Sequence, residues 1–211
     1  MEDIRVQKNW SMAFAAAFPD VQEVKTELVR KTLHFLIALS PSMAALNRPL
    51  TMVLLMTGVL FYTGMESLRL AGINVPLISR ITSRASRARD QGRFVLGPVT
   101  LGMGALMALL LYPSPAASIA IYALAFGDGF ASLIGKFFGR IRPAFLYGKS
   151  LEGSLACFTA VFISAWQVSR SYKISFLAAF SATLVEALPL EDYDNMALPI
   201  AVGLIVSIAM L

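Results

Sequence analysis

Seven apolar runs separated by short polar breaks constrain this chain more than any other feature: Thr32 to Leu46, Leu50 to Leu70, Val95 to Tyr112, Ala116 to Leu133, Leu151 to Val168, Ile174 to Leu188 and Ala197 to Leu211. A hydrocarbon slab about 30 Å thick is crossed by roughly 20 apolar residues in a helix. The pattern therefore predicts an all-α, polytopic transmembrane bundle of about seven spans. A hydrophobic content of 57% and a mean hydropathy of +0.68 lie far from the usage of a soluble domain. With 211 residues, no room remains for a separate soluble domain, and residues 21–211 read as one membrane domain.

Residues 1–20 read as an interfacial segment. Trp10, Phe14 and Phe18 recur at i, i+4 and i+8, as suits a helix lying on a leaflet. Glu2, Asp3 and the helix start at Pro19 and Asp20 speak against a signal peptide. Fifteen of the eighteen Lys and Arg residues fall in the N-terminal segment, between Arg69 and Arg93, or between Lys136 and Lys149; Arg48, Arg170 and Lys173 fall on the other side. The positive-inside rule then predicts a cytoplasmic N-terminus and an outer C-terminus. The net charge of +5 gathers at the inner surface, where it favours anionic headgroups or an anionic substrate. Basic residues spread over several loops argue against nucleic acid as a partner. The single cysteine, Cys157, sits in an apolar run, forms no disulfide within the chain and reads as a core residue. Oligomeric state is not legible.

Ionisable residues in or at the ends of spans are costly, which makes them functional candidates. Here they are Arg30, Lys31 and His34, then Glu66 and Arg69, Asp128, Glu152, and finally Glu186, Asp192 and Asp194 with Asn195. All map to the cytoplasmic end. Transporters place such groups nearer the midplane and on both repeats, so a one-sided pocket favours an enzyme that meets a soluble substrate at the inner surface.

The densest segment is Gly127-Asp128-Gly129-Phe130-Ala131-Ser132, followed by Gly135 and Gly139. On a helix, Asp128, Ser132, Gly135 and Gly139 share a face: a carboxylate and a hydroxyl overlook a surface without side chains. That surface suits either ligand approach or a Gly-x-x-x-Gly helix contact. Gly148-Lys149-Ser150-Leu151-Glu152-Gly153-Ser154 opens the fifth span. It fails as a Walker A motif, because Pro143 stands where that motif has glycine. Lys149 and Ser150 at a helix start, with exposed amides and the helix dipole, favour anions, and Glu152 is placed to hold a cation against the anion. A capping serine with an early glutamate is the structural alternative.

Carboxylates and amide oxygens, completed by water and phosphate, form the ligand set of magnesium, for which Asp128, Glu186 and Asp194 are candidates. Glu191 and Asp192 read as an acidic turn. His34, the only histidine, is a candidate proton acceptor. Arg80, Arg84, Arg87, Arg89 and Arg93 serve topology and headgroup attraction.

Taken as an ordered set over about residues 28 to 205, Arg30-Lys31-x-x-His34, Gly127-Asp128-Gly129-x-Ala131-Ser132-x-x-Gly135, Gly148-Lys149-Ser150-x-Glu152-Gly153-Ser154, Glu186 and Asp194-Asn195-x-x-x-Pro199 resemble the dolichol kinase and phytol kinase family. That family also includes a CTP-dependent diacylglycerol kinase. The resemblance implies transfer of the γ-phosphoryl group of CTP to the hydroxyl of a lipid alcohol, an isoprenoid alcohol or diacylglycerol, with Mg2+ or another divalent cation. It implies a nucleotide site from Asp128 to Ser154, comprising Gly127, Gly129, Ser132, Gly135, Gly148, Lys149, Ser150, Gly153 and Ser154, with Asn195 beside it. Lys149 and Ser150 would meet the phosphates. Asp128, Glu152 and Asp194 are implied metal ligands, to which the acidic pattern adds Glu186. The catalytic candidates are Asp128, His34, Lys149 and Glu152, the base standing open between Asp128 and His34. Residues 21–211 are then a single transmembrane catalytic domain, placed by compactness in a bacterial inner membrane. A phosphatidate cytidylyltransferase making CDP-diacylglycerol is the alternative, without the basic-acidic C-terminal signature of such enzymes here; a membrane transporter is the further one.

Overall fold

The computed structural model describes residues 21–73, 75, 76, 79, 82, 84, 86, 90 and 92–211. The interfacial segment over residues 1–20 and Arg80, Arg87 and Arg89 lie outside the described residues. Those described form seven helices and no strand: α1 (Val21–Ile37), α2 (Ser40–Leu70), α3 (Gly97–Leu111), α4 (Ala116–Phe137), α5 (Leu151–Ser169), α6 (Tyr172–Glu186) and α7 (Asp194–Ala209). Four are long and apolar enough to cross a membrane: α2, α4, α5, and α7 with the 3-10 turn Glu191–Tyr193 that leads into it. Their outer faces expose large apolar side chains such as Leu60, Leu155 and Ile208. Water tolerates no such continuous apolar surface, whereas lipid does, and the protein is an integral membrane protein.

Where helices meet, small residues dominate. Ala105 and Ala108 of α3, Ala120 and Ala123 of α4, and Ala178 and Ala182 of α6 are fully buried. Association in lipid depends on close backbone approach, which small side chains permit. At Gly203 of α7 any Cβ would collide with the ring of Tyr112, whose hydroxyl donates to the Ile200 carbonyl at 2.7 Å.

The apolar pattern predicts one first span over Thr32–Leu46 and a loop at Asn47–Pro49. Instead the chain turns at Ala38 and Leu39, and α2 runs through the second position as a kinked helix, with Asn47 extended at φ −155°, ψ 95°. Pro49 explains the kink, since it lacks an N–H and crowds the preceding turn. Asn47 then acts as a cap for the helix that resumes: its Oδ1 accepts the Leu50 N–H at 3.0 Å. Arg48 reaches across to donate to the carbonyls of Leu109 and Tyr112, occupying acceptors that the end of α3 leaves open.

Two further features position the site. From Ala123 to Asp128, α4 winds as a π-helix, a wide turn often found at functional sites. The helix then continues to Phe137 rather than ending at Leu133, so Asp128 lies about 14 Å before its end. The carboxylate therefore belongs inside the bundle, deeper than the rim position that the apolar run alone suggests. At the end of α2, Glu66 is wholly buried and receives Arg69 Nε and Nη2, both at 2.7 Å, with the Val95 N–H at 3.1 Å. Arg69 also donates to the Arg93 carbonyl. This pair, a functional candidate by its cost, serves as a clamp that ties the entry to α3 onto α2.

Candidate active site

Asp128 is the centre of the site. Its Oδ2 accepts Lys31 Nζ at 2.5 Å, and His34 Nδ1 lies 3.0 Å from the same oxygen. All three side chains are nearly fully buried. Lys31 and His34 are three residues apart on α1, so both face the same way. What presses α1 onto α4 is an aromatic contact. Phe35 packs against Phe126 and Phe130, and a Cβ on Gly129 would stand 2.7 Å from the Phe35 ring. Gly129 thus acts one step away from the chemistry, by letting Phe35 seat and so bringing Lys31 to Asp128. Ser132, one turn on, donates to Asp128 Oδ1 at 3.5 Å.

A second wall comes from the start of α5. Gly148 sits at φ +88°, a left-handed conformation that glycine adopts without strain, and it turns Lys149 toward the end of α6. Lys149 Nζ meets Glu186 Oε1 at 3.1 Å and also the Glu186 carbonyl. Ser150 is the N-cap of α5, accepting the Gly153 N–H at 3.1 Å. The helix-start amides that the sequence leaves exposed for an anion are taken internally: Leu151 N–H goes to the Ile141 carbonyl, Gly153 N–H to Ser150 Oγ, and Ser154 N–H to the Ser150 carbonyl. Anion attraction at this wall therefore rests on side-chain cations. Gly135 and Gly139 make the close helix contact that their spacing suits, and they also border open space. They receive Ser150 in a close contact between α4 and the start of α5, where Gly153 also fits against the Ala131 carbonyl, and they line the cavity.

The two walls enclose a cavity of about 1130 Å³, ample for a polar ligand of several hundred Å³. Of the sequence-derived residues it gathers Asp128, Ser132, Gly135, Gly148, Lys149, Ser150, Gly153, Glu186 and Asp194. His34 approaches from behind Asp128. Gly127 and Gly129 serve packing, against Val161 and Cys157 and against Phe35. Ser154 is buried beside the cavity wall, its Oγ without a hydrogen-bond partner. Glu152 turns away: its carboxylate accepts the backbone N–H groups of Arg140 and Ile141 and tethers the α4–α5 connection. Asn195 joins helices, donating to Thr100 Oγ1 at 2.9 Å. Sequence reasoning left Arg142 out of the site, as one more inside cation; it donates to the Gly135 and Gly148 carbonyls and lines the cavity beside Lys136 and Arg140. Lys31, a functional candidate by its cost but assigned no role, is the ion partner of Asp128.

The donor set fits a hard divalent cation. Glu186 Oε2 is buried and has no hydrogen-bond partner, and Asp194 and Asp128 line the same space. Among the described residues no three His, Cys, Asp or Glu side chains close into a metal cluster. Mg2+ asks for less, since it keeps several waters and takes one or two carboxylates together with phosphate oxygens.

Among curated proteins the chain is similar to "Probable phytol kinase, chloroplastic" of Triticum aestivum, 27% identical over 143 residues, 59% of this chain and 48% of that one. It is also similar to "Probable phytol kinase 1, chloroplastic" of Oryza sativa subsp. japonica, 24% identical over 150 residues, 62% and 47% of the two chains. To "Probable phytol kinase 3, chloroplastic" of Glycine max it is 30% identical over 140 residues, 58% and 44% of the two. The chain spans about half the length of the curated relatives it matches. No family model and no solved structure matches it. The plant relatives bear chloroplastic names, which gives no support to a bacterial inner membrane.

Proposed function

We propose that this protein is a phytol kinase-like lipid-alcohol kinase, moving the γ-phosphoryl group of CTP to the hydroxyl of an isoprenoid alcohol or diacylglycerol at the cytoplasmic face. The observation that carries the reading is one cavity, within a helical membrane domain, that joins a buried Lys31–Asp128–His34 cluster to a wall of cations and carboxylates. Similarity to proteins named phytol kinase supports the reaction class. The distribution of Lys and Arg supports an N-terminus on the cytoplasmic side.

Phosphoryl transfer asks for positioning and charge neutralisation more than covalent chemistry. Lys149, Arg142 and Arg30 line the cavity where the polyphosphate would lie. Glu186 and Asp194 would hold Mg2+, which neutralises charge on the phosphates when bound. The acceptor hydroxyl, brought against Asp128 in the cavity, gives its proton to that carboxylate, or through it to His34 behind, as its oxygen bonds to the γ-phosphorus. The bond from that phosphorus to the bridging oxygen breaks, and the nucleoside diphosphate leaves with the electron pair. Lys31 keeps the Asp128 carboxylate aimed, and His34 Nδ1, 3.0 Å from Asp128 Oδ2, is placed to relay the proton from it. The one-sided cavity gives no support to a transporter, and the relatives give none to a cytidylyltransferase.

The test is incubation of detergent-purified protein with γ-labelled CTP, Mg2+ and either phytol, longer polyprenols or diacylglycerol. Label should enter an extractable lipid phosphate with wild type and not with Asp128→Asn. Absence of labelled lipid with every acceptor, from folded protein, would sink the assignment.

A further inference from the structure

We infer that Phe138, with Phe137 beside it, is the platform on which the base of the bound nucleotide stacks. The inference rests on the kinase reading and names a subsite within it. The cavity is walled almost wholly by charged residues, serines and glycines, and the only large apolar side chains lining it among the described residues are Phe137 and Phe138. Phe138 is 65% exposed, so its ring is open to a partner. A nucleotide has the matching division, an anionic tail and a flat aromatic head.

The placement of the rings relative to the cations is fixed by backbone contacts. Phe138 ends α4, its N–H bonded to the Ile134 carbonyl at 2.8 Å. The next residue, Gly139, is pressed onto Ser150 with no space for a side chain. Three residues further, Arg142 is braced on the carbonyls of Gly135 and Gly148, the latter adjoining Lys149. Phe138 and two phosphate-seeking cations, Arg142 and Lys149, thereby share the α4–α5 connection that lines the cavity. Stacking on an aromatic ring tolerates any base, since every base offers a π face, so this subsite adds affinity for nucleotides over bare polyphosphates without choosing cytosine. Exposed phenylalanine at a helix end also suits the membrane interface; the Arg140, Arg142 and Lys149 side chains that line the same cavity argue for the nucleotide.

The experiment measures equilibrium binding of CTP and, separately, of inorganic triphosphate to the detergent-purified protein with Mg2+, for wild type, Phe138→Ala and Phe138→Trp. The expected result is a loss of CTP affinity in Phe138→Ala of about 5- to 150-fold, the range that removing one base–aromatic stack produces. Inorganic triphosphate should bind the same variant within twofold of wild type, and Phe138→Trp should retain CTP affinity. If wild type binds both ligands and Phe138→Ala weakens neither, or weakens both alike, the platform is wrong while the kinase reading stands. If wild type binds neither, the reading on which the platform rests falls, and the platform with it.

Discussion

Replacing Lys31 by methionine should damage the fold and the reaction by separable amounts. The side chains of Lys31 and Asp128 are 2% and 8% exposed and 2.5 Å apart. Removing one member of a buried pair strands the other charge, at about 3–5 kcal/mol. In a chain of this size each kcal/mol moves Tm by about 2–4 °C, so Lys31→Met should lose about 6–20 °C in detergent. His34, whose Nδ1 lies 3.0 Å from Asp128 Oδ2, is the remaining polar neighbour and sets the lower part of that range. The double variant Lys31→Met/Asp128→Leu removes both charges and should regain most of the Tm, because apolar replacement of a whole buried pair is often neutral or better. Phosphoryl transfer should stay absent in the double variant, since it lacks the carboxylate. Thermal unfolding by intrinsic fluorescence, paired with the label-transfer assay, reads both. A Lys31→Met protein within about 1 °C of wild type, or a double variant as unstable as the single, would refute the view that these two charges stabilise each other in the bundle.

The contact that seats α1 gives a second test. Gly129→Ala places a methyl 2.7 Å from the Phe35 ring, an overpacking of about 1–3 kcal/mol; kcat should fall at unchanged fold, and Phe35→Leu in the same chain should restore it. Asn195→Leu should cost about 1–3 kcal/mol by leaving Thr100 Oγ1 without its donor, measured as Tm, while the KM for nucleotide holds; a raised KM would return Asn195 to the binding site. Lys149→Ala should raise the KM for nucleotide tenfold or more, against an unchanged KM for the lipid in initial-rate assays, about 1.4 kcal/mol per tenfold step. Glu66→Gln weakens the two-pronged contact with Arg69 and should lower Tm by several degrees, about 1.5–3 kcal/mol for charged hydrogen bonds.

Much of the site was legible because its residues carry their own cost. A carboxylate at Asp128 inside an apolar run, a lysine at a helix start and Glu186 near the end of another helix each require a partner or a purpose, and one cavity collects all three. What sequence could not supply was partnership. Lys31 and Asp128 are 97 residues apart, and only the seating of Phe35 over Gly129 shows that they meet. Hydropathy is blind to the winding of a helix, so the π-helical stretch before Asp128 and the depth it gives the carboxylate were invisible. Residues of one chemical type also divided by local geometry. Glu186 faces the cavity, whereas Glu152, with equal claim on paper, spends both oxygens on backbone N–H groups of the neighbouring connection. The turn at Ala38 escaped notice because the run on either side is equally apolar, and Asn47 looked like a loop when it caps a helix restarting after a kink.

The most direct measurement of the central claim compares CTP labelled at the γ position with CTP labelled at the α position, each offered with Mg2+ to the purified protein and an isoprenoid alcohol, diacylglycerol or phosphatidate. The account predicts lipid-borne label from the γ position alone, in an alcohol, with CDP formed in equal amount. Label from the α position in phosphatidate, with pyrophosphate released, would contradict it.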